Sequence, residues 1–317
     1  MDQDRGLLYI FPASMRDRWR HVAEAAGRIQ EIRLRRDRPV VIWMREGEFF
    51  LTPAGEITGD VEKAHIAQQR ELEELLSYMC HYSIYAYEDE LKKGFLTMPG
   101  GHRVGVAGQA VPETSETIKN MKHISYMNIR VAHQIKGAAD PVLPYLYEKG
   151  RLFSTLIISP PGCGKTTLLR DLIRQVSDGN AYGTGLTVGV VDERSEIAGS
   201  FLGQAQNDVG MRTDVLDSCP KVCGMMMLIR SMGPRVIAVD ELGGEQDLAA
   251  LKKAAACGCG LLATIHGEDL PQLRRKEETG KLLEANLFER YVVLGKQGGK
   301  PGVRNIYGER YQTCFGG

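Results

Sequence analysis

Nowhere does this chain approach the roughly 18 consecutive apolar residues that a membrane-spanning helix needs, and its N-terminus lacks a basic segment followed by an apolar one. Both absences set the expectation of a cytoplasmic protein without a span of its own. Neither sign of charge is in excess: Lys and Arg total 40, as do Asp and Glu. Nucleic acid or anionic lipid would therefore have to be drawn by a local patch, because no global field exists to do it. A secreted disulfide framework is missing too, since the seven cysteines, at 80, 163, 219, 223, 257, 259 and 314, are odd in number and scattered. Reduced thiols are the expectation. Cys219, Cys223, Cys257 and Cys259 do not have the usual two-to-four-residue zinc spacing in both halves, so a thiolate metal site is disfavoured. No solenoid-length repeat and no low-complexity tract breaks the pattern, and the closing Gly316-Gly317 is read as a tail without a role.

What is present is the composition of a folded protein of two domains: 317 residues, 43% apolar and 25% charged. In residues 1–136 helical periodicity (14–26, 65–80, 85–93) is mixed with strand patterns (29–35, 40–44, 95–98, 102–107, 124–131), which predicts a smaller α+β domain. Asp37-Arg38-Pro39 splits the first two strands and predicts a hairpin. The pattern breaks at Gly137-Ala138-Ala139-Asp140-Pro141. In residues 137–317 short apolar runs (152–159, 186–191, 236–239, 261–265) alternate with helical stretches (166–177, 224–231, 246–256, 270–284), and a hairpin at 291–306 closes the series. Alternation of that kind predicts a doubly wound α/β domain with a parallel sheet.

Leu156-Ile157-Ile158-Ser159-Pro160-Pro161-Gly162-Cys163-Gly164-Lys165-Thr166-Thr167 is an apolar strand, a glycine-rich turn and a helix start, in that order. A triphosphate needs backbone N–H donors gathered at a helix N-terminus, and Pro161 through Thr167 supply that loop. Lys165 provides a cation for the β- and γ-phosphates, and the Thr166 hydroxyl can hold Mg2+. Ser159 replaces the first glycine of G-x-x-x-x-G-K-[ST], a small departure because the second glycine, the lysine and the threonine make the main contacts. Cys163 is read as simply small. Later, Arg235-Val236-Ile237-Ala238-Val239-Asp240-Glu241 is an apolar strand ending in two acids, where Asp240 can reach the Mg2+ shell through water and Glu241 can orient the attacking water. Val190-Val191-Asp192-Glu193-Arg194-Ser195-Glu196-Ile197 runs a strand into an acidic turn on the same sheet edge. Leu262-Ala263-Thr264-Ile265-His266-Gly267 ends a buried strand in Thr and His. A neutral His266 could sense the γ-phosphate, although a lone histidine at a strand end is more often structural.

The order of the lysine loop, the acidic box, Leu228-Ile229-Arg230-Ser231-Met232-Gly233-Pro234, the acid-ended strand and Thr264-Ile265-His266 resembles the secretion ATPase superfamily of P-loop proteins, with its Walker A, Asp, Walker B and His boxes. A narrower resemblance, to the family of stage III sporulation protein AA, is carried by residues 191–199, 206–215, 225–231 and 262–267. Looser matches lie in 31–35, 101–105 and 128–130. The resemblance implies a RecA-like core, ATP with Mg2+, and catalytic roles for Lys165, Glu241, Glu193 and His266. It also implies a hexameric ring and recruitment by membrane proteins of a channel complex between mother cell and forespore. In such rings an arginine can act on the neighbouring subunit's site, and Arg103 and Arg130, with Arg230 behind them, are the candidates here. Two departures stand out. Asp240 occupies a position usually held by glycine, and Asp192-Glu193 replaces Glu-Asp, which leaves open whether Glu241, Glu193 or Asp192 positions the water.

Rival readings are a nucleic-acid-stimulated translocase and a nucleotide switch with negligible turnover. The arginine-rich hairpin at 28, 33, 35, 36 and 38 puts Arg33 and Arg35 on one face of a strand, but Trp43 is almost its only aromatic neighbour. A solvated face or a subunit contact is the preferred reading over single-strand binding, which normally uses stacking platforms.

Overall fold

In the computed structural model, residues 3–114, 118–298 and 300–316 are described. Gly299, inside the expected closing hairpin, and Gly317 of the tail lie outside the described residues. The chain divides into two compact units, 1–133 with 199–206, and 134–198 with 207–317. The short return of 199–206 to the first unit has no counterpart in the sequence reading.

The first unit is built on a seven-stranded antiparallel sheet in the order Ile57–Thr58, Gly47–Leu51, Val41–Met44, Ile29–Arg35, Ile118–Arg130, Arg103–Pro112, Phe95–Thr97. Along Ile29–Arg35 the residues Ile29, Ile32 and Leu34 are buried while Arg33 and Arg35 sit on the opposite, more open face. Such alternation is how an antiparallel sheet covers one face only. The covered face meets Arg16–Glu24 and Gln69–Met79, whose Trp19, Val22, Leu72, Leu75, Leu76 and Met79 join the same apolar cluster as Ile32, Val104 and Ile129. The strand Gly47–Leu51 was not among the expected elements. The helix expected at 85–93 is a 3-10 turn, Ile84–Tyr87, followed by a short helix, Glu88–Lys92.

The second unit carries an eight-stranded sheet in the order Thr213–Asp217, Val188–Asp192, Val236–Leu242, Gly260–His266, Thr155–Ser159, Arg290–Gln297, Lys300–Gly308, Thr313–Phe315. Pairings among the first six strands are parallel, and the last two strands add antiparallel. Parallel strands are buried on both faces, and here successive side chains feed two separate cores. Ile157, Val190, Ala238 and Leu262 pack with Leu168, Leu172 and Val176 of the helix Lys165–Asp178. Leu156, Ile158, Ile237, Val239 and Ala263 pack on the other side with Met225 and Leu228 of Lys221–Ser231, Leu251 of Glu245–Ala256, and Leu283 of Glu277–Glu284. Each fully buried Leu or Ile in these layers contributes about 1.5–3 kcal/mol of transfer free energy. Helices on both faces of a parallel sheet make a doubly wound fold. Two expectations change in detail. The helix expected at 270–284 is two, Leu270–Arg275 and Glu277–Glu284, parted where Lys276 takes an extended ψ of 132°. Thr213–Asp217 is a parallel edge strand that the sequence reading did not include.

Candidate active site

Ligands of open α/β sheets bind beyond the carboxyl ends of the parallel strands, and the chemistry-bearing residues of the second unit gather there. The strand Thr155–Ser159 is buried throughout and opens into 160–164, after which Lys165 begins a helix of 14 residues. Gly162 at φ 69° and Gly164 at φ 85° carry the turn in backbone conformations that a side chain would strain. Gly164 is the N-cap, so the first N–H groups of the helix point out of its N-terminus. Cys163 turns inward and is 4% exposed, in the apolar core beside Leu168. Pro161 and Gly162 are exposed, and Lys165, Thr166 and Thr167 are half-buried.

The acid pair arises from a strand irregularity. Val239 pairs with Ala263 and Leu242 with Ile265, so Asp240 and Glu241 together oppose the single residue Thr264. A bulge of this kind re-aims side chains, and Glu241 accommodates it at φ 55°, a left-handed conformation that costs a non-glycine residue about 1–2 kcal/mol. Thr264 is fully buried and joins the two acids: its hydroxyl donates to Asp240 Oδ1 and accepts from the Glu241 backbone N–H at 2.8 Å. Asp240 Oδ2 accepts from the Thr166 hydroxyl at 3.2 Å, and Lys165 Nζ stands 3.6 Å from Asp240 Oδ1 and 3.8 Å from Glu241 Oε1. A hydroxyl and a carboxylate brought together at a lysine-bearing helix start form the hard-oxygen donor set that Mg2+ takes, completed by water.

The acidic turn supplies the surrounding frame. Asp192 is 1% exposed, and its carboxylate accepts from the backbone N–H groups of Glu196 at 2.8 Å, Ile197 at 3.1 Å and Ala198 at 2.8 Å. Burial raises its pKa against the lowering effect of those three donors. Asp192 is thus the internal brace of the turn, its carboxylate taken up by three backbone donors. Arg170, one turn beyond the phosphate loop, donates to the carbonyls of Ile197 and Glu196, each at 2.5 Å, and burial lowers its pKa. Lys221 Nζ spans Glu193 Oε2 at 3.0 Å and the Glu241 carbonyl at 2.8 Å. Arg194 Nη1 lies 2.7 Å from Glu241 Oε2. Asp192, Glu193, Arg194, Glu196, Lys221, Asp240 and Glu241 line one cavity.

Lys165, Thr166, Asp240, Glu241 and Glu193 are therefore brought into one neighbourhood. His266 ends the adjacent strand in register with Ser159, exposed, with Gly267 N–H donating to Ser159 O at 3.2 Å. Arg103 and Arg130 are strand partners within the first unit, where the Arg103 guanidinium lies 3.5 Å from the centroid of the Phe95 ring. Arg230 is in the last turn of Lys221–Ser231. Arg33, ion-paired to Glu31 at 2.6 Å, and Arg35 line a shallow cavity of the first unit with Gly105, Tyr126 and Asn128. Sequence reasoning missed Arg170, Lys221 and the bridging role of Thr264. Only Thr264 carried a signal, a polar residue in an apolar run two residues before the strand end at His266.

A RecA-like α/β core with a lysine-bearing glycine loop ahead of the helix Lys165–Asp178 is the class that this sheet order and site define. The family model described as sporulation stage III, protein AA matches residues 1–314, and the chain belongs to that family. It is 42% identical over 299 residues to stage III sporulation protein AA of Bacillus subtilis (strain 168), covering 94% of this chain and 93% of that protein. Among solved structures, the Legionella pneumophila ATPase DotB superposes with a TM-score of 0.58 at 16% identity, covering 94% of this chain and 81% of that one. The pilus retraction motor PilT, solved with bound ADP, gives 0.59 at 13% identity, covering 90% and 80%. These likenesses establish the RecA-like fold of the secretion ATPases for the parallel-sheet unit, with the antiparallel sheet preceding it. Among the described residues no helix is long and apolar enough to cross a membrane.

Proposed function

We propose that the chain is a Mg2+-dependent ATP hydrolase, the motor subunit of a membrane-associated secretion or channel complex between mother cell and forespore in sporulation. The observation that carries the reading is the meeting of Lys165, Thr166, Asp240 and Glu241 at one strand edge, with Thr264 joining the two acids. The backbone of 161–167 cradles the phosphates and Lys165 binds the β- and γ-phosphoryl oxygens. Mg2+, held by Thr166 directly and by Asp240 through water, would supply charge neutralisation on the transferred group. Glu241 orients the attacking water. Its backbone is fixed by Thr264 and by Lys221, and Glu193 keeps Lys221 in place. His266, beside the loop, reports the γ-phosphate to its own strand.

On this reading the 137–317 domain hydrolyses ATP, and the 1–136 domain passes the cycle to the membrane-protein partner that recruits the chain to the inner face of the membrane. A hexameric ring, with Arg103 or Arg130 completing the neighbour's site, fits the family's fold. The test is steady-state phosphate release by the purified chain with Mg2+-ATP, with Lys165→Ala as the blank. Turnover that disappears in the blank and on chelation of Mg2+ is expected; equal rates in chain and blank overturn the proposal.

A further inference from the structure

Glu241 has cations on both of its oxygens: Arg194 Nη1 at 2.7 Å on one and Lys165 Nζ at 3.8 Å on the other. The two cations differ in availability. Lys165 belongs to the phosphate loop, so on the proposed ATPase reading it is taken over by the phosphates when nucleotide binds. Lys221 is committed to Glu193 and to the Glu241 carbonyl, and Arg170 to the carbonyls of Glu196 and Ile197. Arg194 is then the cation left on the Glu241 carboxylate.

The charge balance makes that cation matter. Glu193, Glu196, Asp240 and Glu241 line the same cavity, and a γ-phosphate arriving at the loop adds further negative charge beside Glu241. A diphosphate does not carry charge that far. Arg194 is also well placed for the task, because its turn is braced by the three backbone bonds to Asp192 and by Ser195 Oγ donating to Asp217 Oδ1 at 2.6 Å. Its side chain is 63% exposed and so can follow the carboxylate.

We propose that Arg194 is a specificity-determining residue that neutralises Glu241 so that the site admits a triphosphate, and that this pairing sets the preference for ATP over ADP. This rests on the ATPase reading above. It predicts that removing the arginine penalises the triphosphate selectively and that removing the opposing charge cancels the penalty.

The test is calorimetric titration of the full-length chain with Mg2+ and either ADP or the non-hydrolysable triphosphate AMP-PNP. Arg194→Ala is expected to weaken AMP-PNP by about tenfold, the effect of one screened charge, while ADP stays within about twofold and serves as the check on folding. Arg194→Lys is expected to recover most of the loss, and Arg194→Ala combined with Glu241→Gln to restore triphosphate binding. Equal losses for both nucleotides, no loss, or a triphosphate loss that persists in the double variant overturns the proposal while leaving the ATPase reading intact. A wild-type chain that binds neither nucleotide overturns both.

Discussion

Replacing Asp192 by Ala tests whether this residue braces the turn or belongs to the chemistry. The carboxylate accepts three backbone N–H bonds, at 2.8, 3.1 and 2.8 Å, in a place that is 1% exposed. Each buried donor left without an acceptor costs about 1–3 kcal/mol, so the gross loss is at least about 3 kcal/mol. Burial of the charge offsets part of this, as its raised pKa records. The net expectation is a loss of about 2–4 kcal/mol, a large share of an ordinary domain's stability. Asp192→Asn keeps one oxygen but turns an amide N–H towards a donor, and is expected to cost about 1–2 kcal/mol. Urea unfolding of both variants measures the loss, and hydrogen exchange locates it at the amides of Glu196, Ile197 and Ala198. The sign for pH follows from the raised pKa. The folded chain holds this proton at higher pH than the unfolded one, so the group's contribution to stability grows as pH falls through that interval. A loss in Asp192→Ala below about 1 kcal/mol, with those amides still protected, would refute the reasoning.

Other outcomes follow from single contacts. Thr264→Val removes the hydroxyl shared by Asp240 and Glu241 at nearly constant volume. It is expected to lower ATP turnover at least about tenfold while Thr264→Ser retains most of it, in steady-state phosphate release. A β-carbon on Gly224 would come within 2.5 Å of Val191 Cγ1, so Gly224→Ala should destabilise by about 1–3 kcal/mol through overpacking, read as a lowered urea midpoint. His102, 1% exposed and held by burial at a pKa of about 4 against 6.5 unfolded, binds its proton more readily in the unfolded chain. Stability should therefore fall by roughly 3 kcal/mol as pH drops from 6.5 to 4, and urea unfolding across that range should show a flatter response in His102→Gln.

The parallel sheet and the glycine-rich loop that starts the helix at Lys165 were legible because each parallel strand is a short apolar run with helix between, and because a phosphate-binding loop would need glycine, lysine and threonine at fixed offsets. Thr213–Asp217 was not legible, since every one of its residues is half-buried and its alternation of Thr, Asp, Val, Leu and Asp lacks the apolar run of an interior strand. The bulge at Asp240-Glu241 leaves no mark in the strand's own sequence; it exists in the register against Ala263, Thr264 and Ile265. Asp192 could have been placed by parity. It shares a strand face with Val188 and Val190, which pack in one core with Ile197 and Ala198, so its carboxylate points inward. Arg170 reaches the turn through the carbonyls of Ile197 and Glu196, and Lys221, from a separate helix, through the Glu193 carboxylate and on to the Glu241 carbonyl, contacts that no spacing encodes.

On the proposed reading Glu241 orients the water that attacks the γ-phosphate. Single-turnover phosphate release from radiolabelled Mg2+-ATP by Glu241→Gln, beside its ATP affinity, tests it most directly. ATP affinity is expected to be no weaker than in the parent chain and release to be slowed by about a hundredfold or more, because the glutamine keeps the loop and metal ligands and loses the group that orients water. Release at the parent rate would contradict it and pass the role to another acid of the same cavity, Glu193 first among them.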